Sequence, residues 1–259
     1  MTSTGTAANI NQQSRFSFAA CACACVILSL AACQRTETSS AVTSTTPSGS
    51  STAPAAAAAT HRDEALVRMV HAVPLPTSLD VFAGDLVLFD GLAFKAVTPY
   101  RAVDGQRHAF ALRPAGMTQA KPLSSNTEGL AKGHYYTAIA MPGEGREPDL
   151  RIVNDPLDKP AAGKARLRII HAGVDAGRVD IRGANGLLAE DVDFKTITNY
   201  RDVDPVDGTV DILTDGQDGP LASFRTHLEA GRFYTIVIVG NARSDPRLEA
   251  FLIEDALSP

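Results

Sequence analysis

Two histidines stand at equivalent positions in two similar segments of the chain. His71 lies in the segment 65–72 (ALVRMVHA) and His171 in the segment 165–172 (ARLRIIHA), an offset of 100 residues. Imidazole is the commonest metal ligand and a frequent general base, so the pair could serve a metal-assisted hydrolase. Each histidine, however, closes an alternating apolar run and would face a strand's core side. A histidine there more often hydrogen-bonds a backbone group of the adjacent loop, and we favour that interpretation.

Two tyrosine–arginine pairs recur at the same offset. Tyr100-Arg101 and Tyr200-Arg201 could form an aromatic and basic contact surface for a glycan or a peptide. The alternative is a tyrosine that packs on its own sheet beside an arginine that extends to water, which needs no ligand. We favour this alternative and keep both tyrosines, together with both histidines, as weak candidate binding residues.

An acidic cluster in the second half suggests calcium. It comprises Asp202, Asp204, Asp207 and Asp211, but EF-hand spacing is absent and the first half retains only Asp104. Calcium takes six to eight converging oxygen ligands, so a solvated turn is favoured. The nucleophile and zinc motifs G-x-S-x-G and H-E-x-x-H and the glycine-rich phosphate loops are also missing from the sequence. We therefore expect no enzyme activity, no metal and no cofactor.

The cysteines lie only near the N-terminus. All four, namely Cys21, Cys23, Cys25 and Cys33, fall in the first 33 residues. The rest of the chain therefore cannot carry disulfides or thiolate metal sites, and its stability must come from buried apolar area.

The N-terminal pattern predicts export. A polar start ending in Arg15 precedes the apolar stretch 16–32, which is typical of a signal peptide. Its last residues, Leu30-Ala31-Ala32-Cys33, resemble the bacterial lipobox. The resemblance implies a cut after residue 32, a lipid on Cys33 and, because Gln34 follows instead of aspartate, the outer membrane. An ordinary signal peptide cut nearby, or an uncleaved anchor, is the alternative.

The segment 33–61 is predicted to be a disordered tether. After the cysteine it consists almost wholly of Ser, Thr, Ala, Pro and Gly, without hydrophobic periodicity. As a flexible coil it would span roughly 30 Å.

The remainder of the chain is a tandem duplication of one module. Segments 94–101 (FKAVTPYR) and 194–201 (FKTITNYR) repeat the offset of 100, and Asn154-Asp155 matches Glu254-Asp255. We predict a first module over 62–156, a linker over 157–164 and a second module over 165–259.

Each module is predicted to be all-β. Short β-branched and aromatic runs alternate with turn signals, which favours two tandem immunoglobulin-like β-sandwich modules after the signal peptide and the disordered linker. Alternation in the first strand points Arg68 and Arg168 away from the core. If the first two strands are neighbours, Arg68–Asp80 and Arg168–Asp180 would be solvent-facing cross-strand pairs.

These motifs resemble the bacterial family numbered 4397 among domains of unknown function. The resemblance rests on the opening strands 67–72 and 167–172, on Leu79-Asp80-Val81 and Val179-Asp180-Ile181, and on 133–139 and 231–236. It implies secreted or surface β modules, often tandem and often on lipoproteins, and it supplies no catalytic residues.

Charge and composition narrow the possible partners. The formal net charge is -5 without a Lys/Arg run, which argues against nucleic acid. We expect a non-catalytic interaction or structural lipoprotein of the bacterial outer membrane, facing the periplasm or the cell surface. Its partners would be the membrane, through Cys33, and an unknown envelope protein or glycan. A small-ligand or glycan-binding module is the alternative, and a metal-assisted hydrolase using His71 or His171 is the third.

Overall fold

The computed structural model describes residues 63–145, 147–156 and 158–255, which belong to one compact unit. The predicted signal peptide, Cys33 and the tether lie outside these residues. The described strands are β1 Glu64–His71, β2 Leu79–Ala83, β3 Leu86–Leu92, β4 Arg101–Asp104, β5 Arg107–Pro114, β6 Ser124–Gly129, β7 Tyr135–Pro142, β8 Pro148–Asp155, β9 Ala165–His171, β10 Val179–Gly183, β11 Gly186–Val192, β12 Arg201–Val203, β13 Val206–Leu213, β14 Ala222–Leu228, β15 Phe233–Val239 and β16 Glu249–Glu254.

Two of the strand boundaries in the first module coincide with glycine-containing turns. Gly84, at φ 61°, turns the β2–β3 hairpin, and Asp104-Gly105 separates β4 from β5. Glycine adopts this left-handed conformation without the steric cost that a Cβ imposes. Within the described ranges, no helix is long and apolar enough to span a membrane.

Each module is a sandwich of two four-stranded sheets. In the first module the orders are β4-β1-β7-β8 and β3-β2-β5-β6, and the second module repeats them as β12-β9-β15-β16 and β11-β10-β13-β14. The prediction of two tandem β-sandwich modules is confirmed. The strand order is its own: the first two strands lie in opposite sheets, whereas the immunoglobulin constant domain keeps its first two strands in one sheet.

One sheet of each module is covered on both faces. Strands β7 and β15 are buried almost throughout because one face of each packs into its own module's core and the other face packs against the other module. Strands buried on both faces read as continuous apolar runs, as FYTIVIV in β15 does. The apolar layer between the modules consists of Val70, Ala72, Ile139, Met141, Ile170, Ala172, Val237, Val239 and Ile253.

The predicted Arg68–Asp80 and Arg168–Asp180 pairs are wrong. Strand β1 pairs with β4 and β7, and β2 lies in the opposite sheet, so Arg68 and Asp80 project from different layers. Asp80 instead accepts hydrogen bonds from the backbone N–H groups of Gly91 at 2.7 Å and Gly116 at 2.8 Å. The predicted parity of Arg68 holds, but the face it occupies is the inter-module interface, not the solvent.

Candidate functional site

Eight polar residues lie between the modules and are here named the interface cluster. They form four equivalent pairs, one member from each module: Arg68 and Arg168, Tyr100 and Tyr200, Thr137 and Thr235, Asp155 and Asp255. Both arginines are 2% exposed, which is rare for this residue type without a paired charge. The cluster therefore has to satisfy its charges internally.

One half of the interface cluster centres on Asp155. Arg168, from the second module, places Nη1 2.5 Å from Asp155 Oδ1. The other carboxylate oxygen, Oδ2, accepts hydrogen bonds from Tyr100 at 2.8 Å and Thr137 at 2.6 Å. The hydroxyls come from the aspartate's own module and the guanidinium comes from the other.

The other half repeats this pattern around Asp255. Arg68, from the first module, forms an ion pair with Asp255 Oδ1. Oδ2 accepts hydrogen bonds from Tyr200 at 2.7 Å and Thr235 at 2.8 Å. The modules thus exchange two buried ion pairs, so neither module satisfies its own arginine and aspartate alone.

The charged groups of the interface cluster interact with one another, and these interactions shift their pKa values. Burial alone would lower the pKa of Arg68, but the neighbouring acidic groups, with Asp255 foremost, together outweigh burial, so the pKa lies above its ordinary value. Burial and the neighbouring Asp155 raise the pKa of Tyr100, and burial raises that of Tyr200. Each guanidinium also lies over a tyrosine ring, with Arg168 4.5 Å from the Tyr200 centroid. All eight side chains thus contribute to holding the modules together.

The candidate tyrosines lie in this interface. Their hydroxyls donate to aspartates inside the body, which is the packing interpretation favoured above for Tyr100 and Tyr200. The neighbouring Arg101 is exposed, and its Nη1 also donates to the Leu88 carbonyl at 2.6 Å. Binding of a glycan or peptide at these tyrosines stays a prediction.

The candidate histidines are fully buried at the ends of β1 and β9. His171 Nδ1 accepts from the Gly173 N–H at 3.2 Å, and its Nε2 lies 2.9 Å from the Gly177 carbonyl, which fixes the proton on Nε2. His71 Nδ1 accepts from the Val73 N–H at 3.3 Å. Burial lowers the pKa of His71 to about 4, and it also lowers that of His171.

The acidic cluster does not converge. Asp202 pairs with Arg166, Asp204 pairs with Lys164, and Asp211 accepts from Ser223. Among the described residues, no group of three or more His, Cys, Asp or Glu side chains could hold a metal ion.

A cleft opens between the modules where β1, β7, β9 and β15 end. Its volume is about 440 Å³, and loops of both modules line it. The first module contributes Val73, Pro74, Leu75, Pro76, Pro142, Gly143, Gly145 and Glu147, and the second contributes Val174, Asn241, Ser244 and Asp245. We name this surface the inter-module cleft. No sequence motif predicts this cleft, since it depends on how the modules pack.

A smaller groove adjoins the cleft on the first module. Its volume is about 340 Å³, and its lining is mainly apolar, formed by Leu75, Thr77, Leu79, Pro114, Met117, Leu123, Glu147 and Pro148. We name it the side groove. Leu75 and Glu147 line both spaces, so the two spaces adjoin.

Comparison with solved structures finds a low similarity. The chain is similar to the crystal structure of a candidate cell adhesion protein from Bacteroides eggerthii DSM 20697, with 9% identity and a TM-score of 0.22, over 74% of this chain and 95% of that one. A likeness at this identity and score carries no functional argument. No curated protein matches the chain.

A family model supports the family resemblance. It covers residues 65–182, which include the first module, β9 and most of β10. Residues 65–182 therefore match the family described as Domain of unknown function (DUF4397), the family that the motifs predict.

Proposed function

We propose that the protein is a non-catalytic interaction protein of the bacterial envelope, anchored by a lipid on Cys33. The observation that carries this proposal is the inter-module cleft, which exists only because two modules are held together by the interface cluster. Loops on a rigid scaffold are where binding residues concentrate. The strongly perturbed tyrosines and arginines lie in the interface cluster instead of the cleft, which favours binding over catalysis.

The predicted tether joins the first module at the end opposite the inter-module cleft, which favours a cleft that faces away from the membrane. The described chain enters at Asp63, beside the start of β1, where its carboxylate pairs with Lys132 at 3.1 Å. The cleft lies beyond the other end of β1, roughly 26 Å away for eight extended residues. A tether attached at Asp63 would therefore leave the cleft facing outward, toward a partner in the periplasm or beyond the cell surface.

The test uses the full-length protein in its own envelope. A photoreactive residue is placed at Ser244, in the cleft, and in a second variant at Arg225, an exposed position on β14. We expect one discrete cross-linked product from Ser244 and none from Arg225. The Cys33→Ser variant should leave the membrane fraction, fail to incorporate a fatty-acid label and lose the product. Equal cross-linking from both positions, or labelling that survives Cys33→Ser, would contradict the proposal.

A second candidate function is binding of a small ligand or glycan. The cleft volume of about 440 Å³ favours it, because ligand sites usually fall between about 300 and 1,000 Å³. A ligand at 100 times its Kd stabilises a protein by about 2.7 kcal/mol, so a thermal-shift panel of glycans and small molecules detects it. A raised Tm with one compound, abolished by filling the cleft with Ser244→Trp, would favour this candidate over a macromolecular partner.

A further inference from the structure

The two copies of the module differ in how one loop is fastened. In the second module, the loop after β9 is fixed to neighbouring strand ends on both sides. Val174 N–H donates to the Gly240 carbonyl at 2.8 Å, and Ala242 N–H donates back to the Val174 carbonyl at 2.9 Å. On the other side the Thr214 hydroxyl donates to the Arg178 carbonyl at 2.8 Å. These bonds close the loop onto the sandwich.

The first module has lost the groups that make these bonds. Pro74 stands where the second module has Val174, and proline has no N–H to donate. Pro114 stands where the second module has Thr214 and has no hydroxyl, so on this side the Ser78 carbonyl, which corresponds to that of Arg178, accepts instead from the Ala115 N–H at 2.9 Å. The loop instead turns on itself through the Leu75 N–H and the Val73 carbonyl at 2.8 Å. The side groove lies between this loop and Pro114.

The hydrogen bonds of the two histidines also differ between the modules. His171 Nε2 bonds the Gly177 carbonyl in the closed loop, whereas the buried His71 Nε2 has no hydrogen-bond partner among the described residues. A buried polar atom without a partner costs free energy and is uncommon in native proteins. The loop of the first module therefore gives up stabilising bonds that the same scaffold makes in the second.

The chemistry of the joined surface is apolar with two acidic groups. The side groove contributes apolar walls, including Met117, which is 58% exposed. Glu147 of the first module and Asp245 of the second line the cleft, and none of its described lining residues is cationic. Arg247 lies 3.7 Å from Asp245, but both side chains are exposed, so this pair screens the carboxylate only weakly.

We infer that the side groove and the inter-module cleft together bind an extended peptide segment in which an apolar side chain is followed closely by a lysine or arginine. The apolar side chain fits the side groove against Met117 and Leu75. The cation lies in the cleft between the carboxylates of Glu147 and Asp245. Charge complementarity selects this occupant, since a carboxylate-bearing partner would be repelled from both walls.

The lining favours a peptide over a glycan. No aromatic ring is present among the described lining residues of either space, so there is no platform on which a sugar ring stacks. Apolar walls and separated carboxylates are instead the complement of alternating side chains on an extended chain. This inference rests on the proposed interaction function and names the partner's chemistry.

The test is an array of synthetic heptapeptides probed with labelled full-length protein. Each peptide carries one leucine and, one to three positions later, lysine, glutamine or glutamate. We expect lysine peptides to bind on the order of tenfold better than glutamine peptides, and glutamate peptides not to bind. Binding of the lysine peptides should weaken as salt is raised.

Variants locate the site and control for charge. Met117→Glu should remove binding, and Glu147→Gln, which leaves only the Asp245 carboxylate, should lower the preference for lysine over glutamine. Gln217→Glu introduces the same charge at the matching position of the second module and should leave binding unchanged. The inference would be overturned if Gln217→Glu reduced binding as much as Met117→Glu, or if lysine and glutamine peptides bound equally. It would also be overturned if no peptide bound, or if neutral oligosaccharides bound in place of peptides. A Ser244 cross-link that persists after such an outcome would leave the proposed envelope function standing.

Discussion

Replacing Arg168 with methionine would leave the Asp155 carboxylate buried without its guanidinium. The side chains of Arg168 and Asp155 are 2% and 0% exposed, and Nη1 lies 2.5 Å from Oδ1. Removing one partner of a buried pair costs about 3–5 kcal/mol, because the remaining charge is desolvated and unpaired. Tyr100 and Thr137 still donate to Asp155, so we expect the lower end, about 3 kcal/mol.

A second substitution separates charge from shape. Asp155→Asn removes the buried charge but keeps an oxygen for the two hydroxyls. Combined with Arg168→Met, it should therefore recover about 2 kcal/mol of the loss. Arg166→Met is the matched control: it lies two residues earlier on β9 and pairs with Asp202 at 3.2 Å, with side chains 20% and 34% exposed. An exposed pair of this kind contributes about 0–1 kcal/mol.

The assay is equilibrium urea unfolding of the full-length protein. The chain has no tryptophan and five tyrosines, two of them in the interface cluster, so tyrosine fluorescence reports on the interface and far-UV circular dichroism on the sheets. The refuting result is a loss below about 1 kcal/mol for Arg168→Met, or a loss no larger than that of Arg166→Met. Either outcome would mean that the exchanged ion pairs do not hold the modules together.

Three further predictions follow from buried groups and backbone geometry. Folding lowers the pKa of His71 to about 4, so the unfolded state binds the proton first as the pH falls. The free energy of unfolding should therefore decrease by about 3 kcal/mol between about pH 6.5 and about pH 4. Urea unfolding at a series of pH values measures this decrease. Because folding raises the pKa of Tyr100 and Tyr200 above the ordinary 10, stability is full below about pH 10 and falls above it; in an ultraviolet pH titration these two tyrosines should ionise only on unfolding. Gly240→Ala should destabilise the protein more than Gly116→Ala, since both have positive φ but only at Gly240 would a Cβ collide with a backbone carbonyl oxygen, and thermal melts compare them.

Controls keep these predictions specific. His71→Gln should reduce the slope of stability against pH on the acid side, where the buried His171 still contributes, whereas substitution of the exposed His134 should not. An unchanged slope with His71→Gln would contradict the assignment. The double variant Tyr100→Phe, Tyr200→Phe should lose the late absorbance change, and its persistence would assign that change to other tyrosines. Equal losses for the two glycine variants would show that φ alone decides the cost.

The repeat and the strand pattern carried most of the fold prediction. The offset of 100 and the alternation in β1 and β9 predicted two β-sandwich modules and the side of the strand on which Arg68 lies. Alternation cannot tell what covers that side, so the arginines were expected in solvent and lie between modules. The matching positions of Asp155 and Asp255, at the end of each copy, could have indicated the interface, because these two aspartates supply the counter-charges of the buried arginines.

Non-local pairing explains the remaining errors. An Asp-Gly dipeptide usually marks a turn, but Asp207-Gly208 lies inside β13, where Asp207 pairs with His227 and Gly208 with Thr226 of β14. Local turn chemistry was overridden there by the neighbouring strand. The inter-module cleft also escaped prediction, because it is formed by loops that are far apart in sequence.

Scanning calorimetry of the full-length protein tests most directly whether the two modules are one body. We expect a single endotherm in which the van't Hoff enthalpy equals the calorimetric enthalpy, since unfolding of either module removes the ion-pair partners of the other module's buried charges. Two separable endotherms, or a van't Hoff enthalpy near half the calorimetric value, would contradict it, because the modules would then be independent and the inter-module cleft would have no fixed shape.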